Sequence, residues 1–296
     1  MSELGNLPTE ARNPASERLD ELSTLEMLGV MQAADAEAVA AVERELPRIA
    51  AAVDAIAARI EAGGRLFYLG AGTSGRLGVL DASECPPTYN TPPEMVQGII
   101  AGGDAALRRS IERAEDDPSL GAHDLEEHDF GEGDVLVGIA ASGRTPYVVG
   151  GLEYARKLGA LTIGLTCVPG SPVATAAELA IMPATGPEIV TGSTRMKAGT
   201  ATKLVLNMLS TGALVRLGYV YGNLMVNVQP TNTKLADRAD RIIAAITGLG
   251  YDEAAELLAR AESVKTAVVM QKLGVSRTDA EARLAAARGR LKDALR

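Results

Sequence analysis

The chain of 296 residues is 47% hydrophobic but only 3% aromatic, so Ala, Val, Leu and Ile have to build its core. So few aromatic side chains argue against a surface that stacks nucleobases, and a formal net charge of −9 argues against binding to a nucleic-acid backbone. A local loop can still hold one phosphate group, because backbone N–H groups at a helix start attract anions.

Cysteine and histidine are scarce in this sequence. Cys85 and Cys167 stand far apart, and His123 and His128 are the two histidines. None of these spacings is typical of a disulfide framework or a metal site, so we expect no metal. The polar first residues do not resemble a signal peptide, and no stretch approaches the roughly 18 consecutive apolar residues of a membrane span. We therefore expect a cytoplasmic protein that binds neither a membrane nor nucleic acid.

The N-terminal region begins with an arm. Residues 1–22 are polar and contain two prolines, which predicts an extended arm that is either disordered or docked onto another surface, such as a second subunit. Residues 23–26, Ser-Thr-Leu-Glu, resemble a capping box that begins a helix. A second, Ala-rich helix is predicted from about Asp35 to Glu61. We assign residues 1–45 to an N-terminal arm and helix.

Short apolar runs alternate with helical patterns in the middle of the chain. The run at residues 135–140 is continuous, which is typical of a strand buried on both faces of a sheet. This alternation indicates an α/β fold with a parallel sheet that is covered by helices on both sides. We assign residues 46–232 to this domain. Its predicted strands are residues 66–70, 95–100, 135–140, 161–166 and 179–182.

The sequence pattern in the last third of the chain predicts helices. A long buried helix is predicted from Met196 to about Leu217, and purely helical patterns then follow with breaks at Gly250 and Gly274. No strand pattern interrupts these helices. We assign residues 233–296 to a small C-terminal helical bundle.

Two loops rich in glycine and hydroxyl groups follow predicted strands. The first is residues 70–75, Gly-Ala-Gly-Thr-Ser-Gly, and the second is residues 141–146, Ala-Ser-Gly-Arg-Thr-Pro. Helix starts bind anions, and ligands of open α/β sheets bind at the carboxyl ends of the strands. Two such loops predict a phosphate cradle, whereas either loop alone is equally well a tight turn with a helix cap. The candidate binding residues are Gly72, Thr73, Ser74, Ser142, Gly143 and Thr145.

A third polar segment, residues 188–197, precedes the long helix. Its hydroxyls and cations resemble those of the two loops and indicate a ligand-facing role, although a helix cap with exposed Arg and Lys explains them as well. The candidate binding residues in this segment are Glu188, Ser193, Thr194 and Lys197.

Glu84 is the acid–base candidate that the sequence offers. It lies where the helix after the first loop is predicted to end, near residue 82, and Pro86 and Pro87 fix the backbone behind it. A carboxyl group held rigidly near a phosphate site can transfer protons, although most loop glutamates are only solvated. Glu115 lies in an acidic run that is typical of a solvated helix end, so its own surroundings do not single it out.

The loops resemble those of the sugar isomerase (SIS) domain. The phosphate loop of that family, Ser-x-Ser-Gly-x-Thr, is matched by residues 140–145, with Ala140 in place of the first serine. Within this superfamily the chain resembles the N-acetylmuramic acid 6-phosphate etherases over nearly its whole length. The segments that carry this resemblance are residues 9–13 (Thr-Glu-Ala-Arg-Asn), 70–76 (Gly-Ala-Gly-Thr-Ser-Gly-Arg), 82–88 (Ala-Ser-Glu-Cys-Pro-Pro-Thr) and 191–200 (Thr-Gly-Ser-Thr-Arg-Met-Lys-Ala-Gly-Thr). It implies a flavodoxin-like three-layer sandwich and a homodimer.

The resemblance also implies a reaction. The family cleaves the ether between D-lactate and C3 of N-acetylmuramate 6-phosphate, which yields N-acetylglucosamine 6-phosphate and D-lactate during bacterial cell-wall recycling. A base removes the C2 proton of the open-chain aldehyde, an acid protonates the departing lactate oxygen, and water adds to the unsaturated intermediate. By match to the family, Glu84 is the acid and Glu115 is the second catalytic carboxylate, assigned as the C2 base. No metal or organic cofactor is required.

Two other functions fit the same loops. An aldose–ketose sugar-phosphate isomerase shares the phosphate site and the removal of the C2 proton. A non-catalytic sugar-phosphate sensor would keep the loops but would not need the carboxylates. Release of lactate separates the etherase from both alternatives.

Overall fold

The computed structural model describes residues 9–109, 111, 113–230 and 232–296. The first part of the predicted arm, residues 1–8, lies outside the described residues. The rest of the arm contains two short 3₁₀ turns, Pro14–Ser16 and Leu19–Glu21.

Helices α1 (Thr24–Arg44) and α2 (Leu46–Glu61) follow the arm. The predicted capping box is confirmed, because the Ser23 hydroxyl accepts the N–H of Glu26 while the Glu26 carboxylate accepts the N–H of Ser23. The predicted break before Asp35 is wrong, since the chain changes helix at Glu45. Pro47 is consistent with this position, because proline has no N–H and is favoured in the first turn of a helix.

Five parallel strands form one sheet in the order β2-β1-β3-β4-β5. All five predicted strands are confirmed, and so is the predicted α/β fold with a parallel sheet. β1, β3 and β4 are buried along their whole length, as their continuous apolar runs require. The strands are β1 (Leu66–Gly70), β2 (Val96–Ile100), β3 (Val135–Ile139), β4 (Leu161–Leu165) and β5 (Leu179–Ile181).

Helices cover both faces of this sheet. On one face Phe67 packs in a cluster with Leu125 and Leu152. On the other face α3 lies so close that a Cβ atom added at Gly78 would be 2.9 Å from Cβ of Tyr68. The helices between the strands are α3 (Gly72–Tyr89), α4 (Ala105–Arg108), α5 (Pro118–Glu127), α6 (Pro146–Lys157) and α7 (Pro172–Ala176).

The long helix α8 (Lys197–Arg216) confirms the helix predicted for residues 196–217. Polar groups fix α8 beside α3 on the same face of the sheet. The Asp81 carboxylate accepts a hydrogen bond from the Tyr68 hydroxyl at 2.9 Å and another from the Asn207 amide at 2.7 Å. Asp81 is buried, so these two donors offset the loss of water around its carboxylate.

Helix α3 runs through two prolines that were predicted to follow its end. Pro86 and Pro87 lie inside the helix, which ends at Tyr89. Both prolines lie in its last turns, where each lacks the N–H that would donate to the carbonyl four residues earlier. Asn90 adopts a left-handed φ of 53° and stops the helix, as residues after helix ends commonly do.

The chain forms two compact units. Met1–Ser83 and Glu94–Ser210 make up the first, and Glu84–Pro93 and Thr211–Arg296 make up the second. Our division of the sequence into residues 1–45, 46–232 and 233–296 remains a prediction.

The second unit has a core of its own. The predicted helical pattern after residue 232 is confirmed, and so is the break at Gly274, which has a φ of 66°. The helices pack around buried apolar side chains that include Val226, Ile243, Leu257 and Val268. They are α9 (Thr233–Thr247), α10 (Tyr251–Ala261), α11 (Val264–Leu273), α12 (Arg277–Ala286) and α13 (Leu291–Ala294). Among the described residues, no helix combines the length and apolar character needed to cross a membrane.

Candidate active site

The strand order places a topological switch point between β1 and β3. In sheets of this order, ligands bind at the carboxyl ends of the two strands where the winding reverses. Gly70 at the end of β1 pairs with Ile139 at the end of β3. The structure therefore brings both predicted phosphate loops to adjacent strand ends.

The first loop is a very tight turn from β1 into α3. A Cβ atom at Gly70 would lie 2.7 Å from the Gly75 nitrogen, and one at Gly75 would lie 2.6 Å from the Gly70 oxygen, so neither position accepts a side chain. Within the described chain, the half-buried hydroxyls of Thr73 and Ser74 make no hydrogen bond. The first N–H groups of a helix also have no partner inside it. This loop therefore offers hydroxyls and N–H groups to a ligand.

The buried side chains of Thr166 and Ser171 pack against the second loop. Gly143 has a left-handed φ of 69°, and a Cβ atom there would lie 2.1 Å from Ser171 Oγ and 2.6 Å from Thr166 Oγ1. Ser142 Oγ accepts a long hydrogen bond of 3.4 Å from the Arg144 N–H. Thr145 occupies the N-cap of α6 without capping it through its side chain. Thr166 and Ser171 were not predicted, because their role arises only when β4 lies beside β3.

Glu115 lies next to both loops. Its side chain is exposed, and it lines a cavity of about 90 Å³ together with Gly72 and Arg76. Its backbone oxygen accepts the N–H of Tyr147, in the first turn of α6, at 3.1 Å. The Tyr147 side chain is buried and bonded to Asp124, and both the burial and this bond raise the pKa of its hydroxyl. Glu115, the residue named by the family resemblance, thus lies close to the starts of α3 and α6.

The charged groups of Glu188 and Lys197 in the third segment are hydrogen-bonded to other groups of the same chain. Glu188 is fully buried, and its carboxylate accepts the N–H groups of Lys197 and Ala198, both at 2.9 Å, at the start of α8. Such a carboxylate stabilises the positive end of the helix dipole. The Lys197 ammonium is also buried, and it donates to Glu37 Oε2 at 2.6 Å and to the Pro187 oxygen at 3.4 Å.

The end of the third segment lies near the first loop. A Cβ atom at Gly199 would lie 3.6 Å from the Thr194 oxygen and 3.7 Å from Thr73 Cγ2. Ser193 and Thr194 are half-buried, and in the described chain their hydroxyls make no hydrogen bond. The start of α8 is therefore adjacent to the start of α3.

The arm docks onto this third segment in the same chain. The Asn13 amide donates to the Pro187 oxygen at 3.3 Å, and the Ser16 hydroxyl donates to the Ile189 oxygen at 2.7 Å. A Cβ atom at Gly192 would lie 3.2 Å from a carboxylate oxygen of Glu10. Of the two outcomes predicted for the arm, docking therefore holds for its described residues.

Glu84 belongs to the second compact unit, of which it is the first residue. It is exposed on the C-terminal half of α3, and its neighbour Cys85 is buried. Cys167, which follows β4, is buried as well, and this burial raises the pKa of its thiol to about 12. Neither cysteine therefore has the exposed thiolate that a nucleophile needs.

Comparison with known families agrees with this architecture. Residues 122–212 match the SIS domain, and residues 48–156 match the glucokinase regulatory protein N-terminal SIS domain. A Bacteroides fragilis protein described as a phosphosugar isomerase involved in capsule formation has a similar structure, with a TM-score of 0.51, 22% identity and coverage of 68% of this chain and 95% of that one. A protein of Escherichia coli CFT073 gives a TM-score of 0.50 at 15% identity, over 68% and 97% of the two chains. These likenesses establish the SIS fold.

Relatives of much higher identity cover nearly the whole chain. The N-acetylmuramic acid 6-phosphate etherase of Aliivibrio fischeri is 53% identical over 294 residues, which are 99% of this chain and 98% of that protein. The protein of the same name from Rhodopirellula baltica is 56% identical over 271 residues, or 91% and 90% of the two chains. The first of these matches covers 99% of the chain and so includes nearly all of both compact units. The chain belongs to the N-acetylmuramic acid 6-phosphate etherase family.

Proposed function

We propose that this chain cleaves the D-lactyl ether of N-acetylmuramate 6-phosphate and releases N-acetylglucosamine 6-phosphate and D-lactate. One observation carries the proposal: relatives of 53% to 56% identity that bear this enzyme's name match the chain almost from end to end. The loops at the switch point of the sheet support a phosphorylated sugar as the ligand. The reaction serves the recycling or catabolism of cell-wall amino sugars.

The phosphate group binds where the starts of three helices converge. Free hydroxyls and helix N–H groups favour an anion there in spite of the negative net charge of the chain. Glu188 and Lys197 stay predicted binding residues, but their polar atoms already have partners, so a direct phosphate role requires Lys197 to leave Glu37. The proposed direct contacts are Gly72, Thr73, Ser74, Ser142, Gly143, Thr145, Ser193 and Thr194.

Two carboxylates carry out the chemistry. Glu115 takes the C2 proton of the open-chain aldehyde, and its place beside Gly72 supports this role, because the bound phosphate then fixes C2 near the base. Glu84 donates a proton to the lactate oxygen as the C3–O bond breaks and a C2–C3 double bond forms. Water then adds its hydroxyl to C3 and a proton to C2. These steps need neither a metal nor an organic cofactor, and each proton transfer accelerates the reaction roughly 10²- to 10⁴-fold.

The test is incubation of the protein with N-acetylmuramate 6-phosphate, followed by enzymatic detection of D-lactate and identification of the sugar product. Stoichiometric D-lactate and N-acetylglucosamine 6-phosphate are expected. An isomerase would convert an aldose phosphate to its ketose without lactate, and a sensor would bind the sugar without turnover. Either result would refute the proposal.

We include a homodimer and a cytoplasmic location in the proposal. Leu25 and Leu28 of α1 are 82% and 52% exposed, although they are apolar and lie on one face of the helix. A second copy that covers this face would remove both side chains from water. The cytoplasm is favoured because a phosphorylated sugar does not cross a membrane unaided. The mass in solution tests the dimer.

A further inference from the structure

Arg76 connects two parts of the site. It lies in α3, four residues after Gly72, and its guanidinium donates to the Leu107 oxygen through Nε at 3.1 Å and to the Ala106 oxygen through Nη2 at 2.7 Å. Both carbonyls belong to the short helix α4, whose last carbonyls have no partner within it. Arg76 therefore ties α4 to the start of α3.

The segment that follows α4 leads to Glu115. Arg76, Gly72 and Glu115 line the same cavity of about 90 Å³, so Arg76 lies beside both the proposed phosphate site and the proposed base. The other end of the segment is held by the Tyr147 N–H, which donates to the Glu115 oxygen at 3.1 Å. Among the described residues, the Arg76 side chain holds α4 and the Tyr147 backbone N–H holds Glu115.

We propose that Arg76 is a positioning residue that holds the base Glu115 at a fixed distance from the phosphate-binding start of α3. This inference rests on the proposed function. A guanidinium suits the task, because its planar fork can donate to two neighbouring carbonyls at once, whereas a lysine ammonium acts as a single point of charge. Its Nε–H and one Nη2–H donate to the carbonyls, so the contacts seen in the structure are those of an anchor.

The test compares Arg76→Met and Arg76→Lys with the control Arg108→Met. Arg108 is an exposed arginine of the same helix α4. Because a misplacement of about 1 Å can reduce a rate about 100-fold, we expect both Arg76 variants to lose about 100-fold in kcat while KM changes less than about threefold. Arg108→Met keeps wild-type values. In hydrogen exchange, the amides of residues 104–109 and 113–116 become less protected in the Arg76 variants alone.

Three results would overturn this role. The first is wild-type kcat in Arg76→Met, and the second is a loss that resides entirely in KM, which would make Arg76 a direct ligand of the substrate. The third is unchanged hydrogen exchange at residues 104–109 and 113–116. If Arg76→Met fails to fold, Arg76→Lys, which keeps the charge and most of the bulk, decides by the same criteria. A wild-type protein that releases no D-lactate refutes the proposed function instead, and hydrogen exchange still tests the anchor.

Discussion

The loops after β1 and β3 and the segment of residues 188–197 carry similar residues but use them differently. In the loops, the hydroxyls of Thr73 and Ser74 make no hydrogen bond within the described chain, and that of Ser142 only accepts a long one. In the segment, the carboxylate of Glu188 and the ammonium of Lys197 are buried, and both are bonded to the chain. Polar groups left unused can take a ligand, whereas buried and paired ones hold the fold.

The same contrast separates the two carboxylates of this region. Glu115 is exposed beside a cavity, while Glu188 is fully buried and accepts two backbone N–H groups. We expect substitution of the exposed carboxylate to reduce the rate without affecting the fold. We expect substitution of the buried one to affect stability first.

The largest effect is expected for the proposed catalytic carboxylates. Glu115→Gln should stop both D-lactate release and C2 proton exchange with solvent, because no base remains to take that proton. Glu84→Gln should stop lactate release but keep C2 exchange, since only the proton donor is lost. Each loss should reach roughly 10²- to 10⁴-fold. NMR in heavy water measures both processes, and melting temperatures should stay at the wild-type value.

Two outcomes would contradict these roles. Lactate release at the normal rate by Glu84→Gln would exclude it as the acid. Wild-type C2 exchange in Glu115→Gln would show that another residue is the base. Glu153→Gln, an exposed glutamate on α6, serves as the control and should behave as wild type.

A smaller effect, on stability, is expected at Glu188. Glu188→Ala leaves the N–H groups of Lys197 and Ala198 buried without an acceptor. We expect a loss of about 3 kcal/mol in the free energy of unfolding, because each hydrogen bond to a charged group contributes roughly 1.5–3 kcal/mol. Urea unfolding measures it, with Glu153→Ala as the control. A stable Glu188→Ala with a raised KM would make Glu188 a substrate ligand.

The next smaller effect, a change in KM, is expected at Ser142. Ser142→Ala removes a hydroxyl that, among the described residues, only accepts the long hydrogen bond from the Arg144 N–H, so the melting temperature should not change. KM for the phosphorylated substrate should rise roughly 10- to 100-fold, since one hydrogen bond to a charged group contributes roughly 1.5–3 kcal/mol. Steady-state kinetics measure it, and Ser119→Ala on α5 is the control. An unchanged KM would remove Ser142 from the phosphate cradle.

Most of the fold could be predicted because its signals are local. Continuous apolar runs marked the strands, and the glycines of residues 70–75 marked the turn into α3. The continuation of α3 through Pro86 could not be predicted, since the local preference of proline is to end a helix. Nor could the pairing of Lys197 with Glu37, which are 160 residues apart. Glu115 had no local signal at all, and only resemblance to the family pointed to it.

The smallest effect is expected at Lys197, where the prediction from sequence and the contacts in the structure differ most. The Lys197 side chain is 1% exposed and that of its partner Glu37 is 69% exposed. Lys197→Met therefore removes a buried charge and leaves Glu37 in water, so the free energy of unfolding should change by less than about 1 kcal/mol and KM by less than about threefold.

Glu37→Gln is the matched variant and should be the more destabilising of the two. It keeps the buried ammonium of Lys197 but removes its carboxylate, and the Pro187 oxygen at 3.4 Å is a poor replacement. Thermal unfolding and steady-state kinetics of both variants distinguish a structural role of Lys197 from a role in binding the phosphate. A rise of about tenfold in KM for Lys197→Met at an unchanged melting temperature would show that the ammonium leaves Glu37 to bind the phosphate. The third segment would then belong with the loops after β1 and β3 as a ligand-binding element, because its buried cation would be available to substrate.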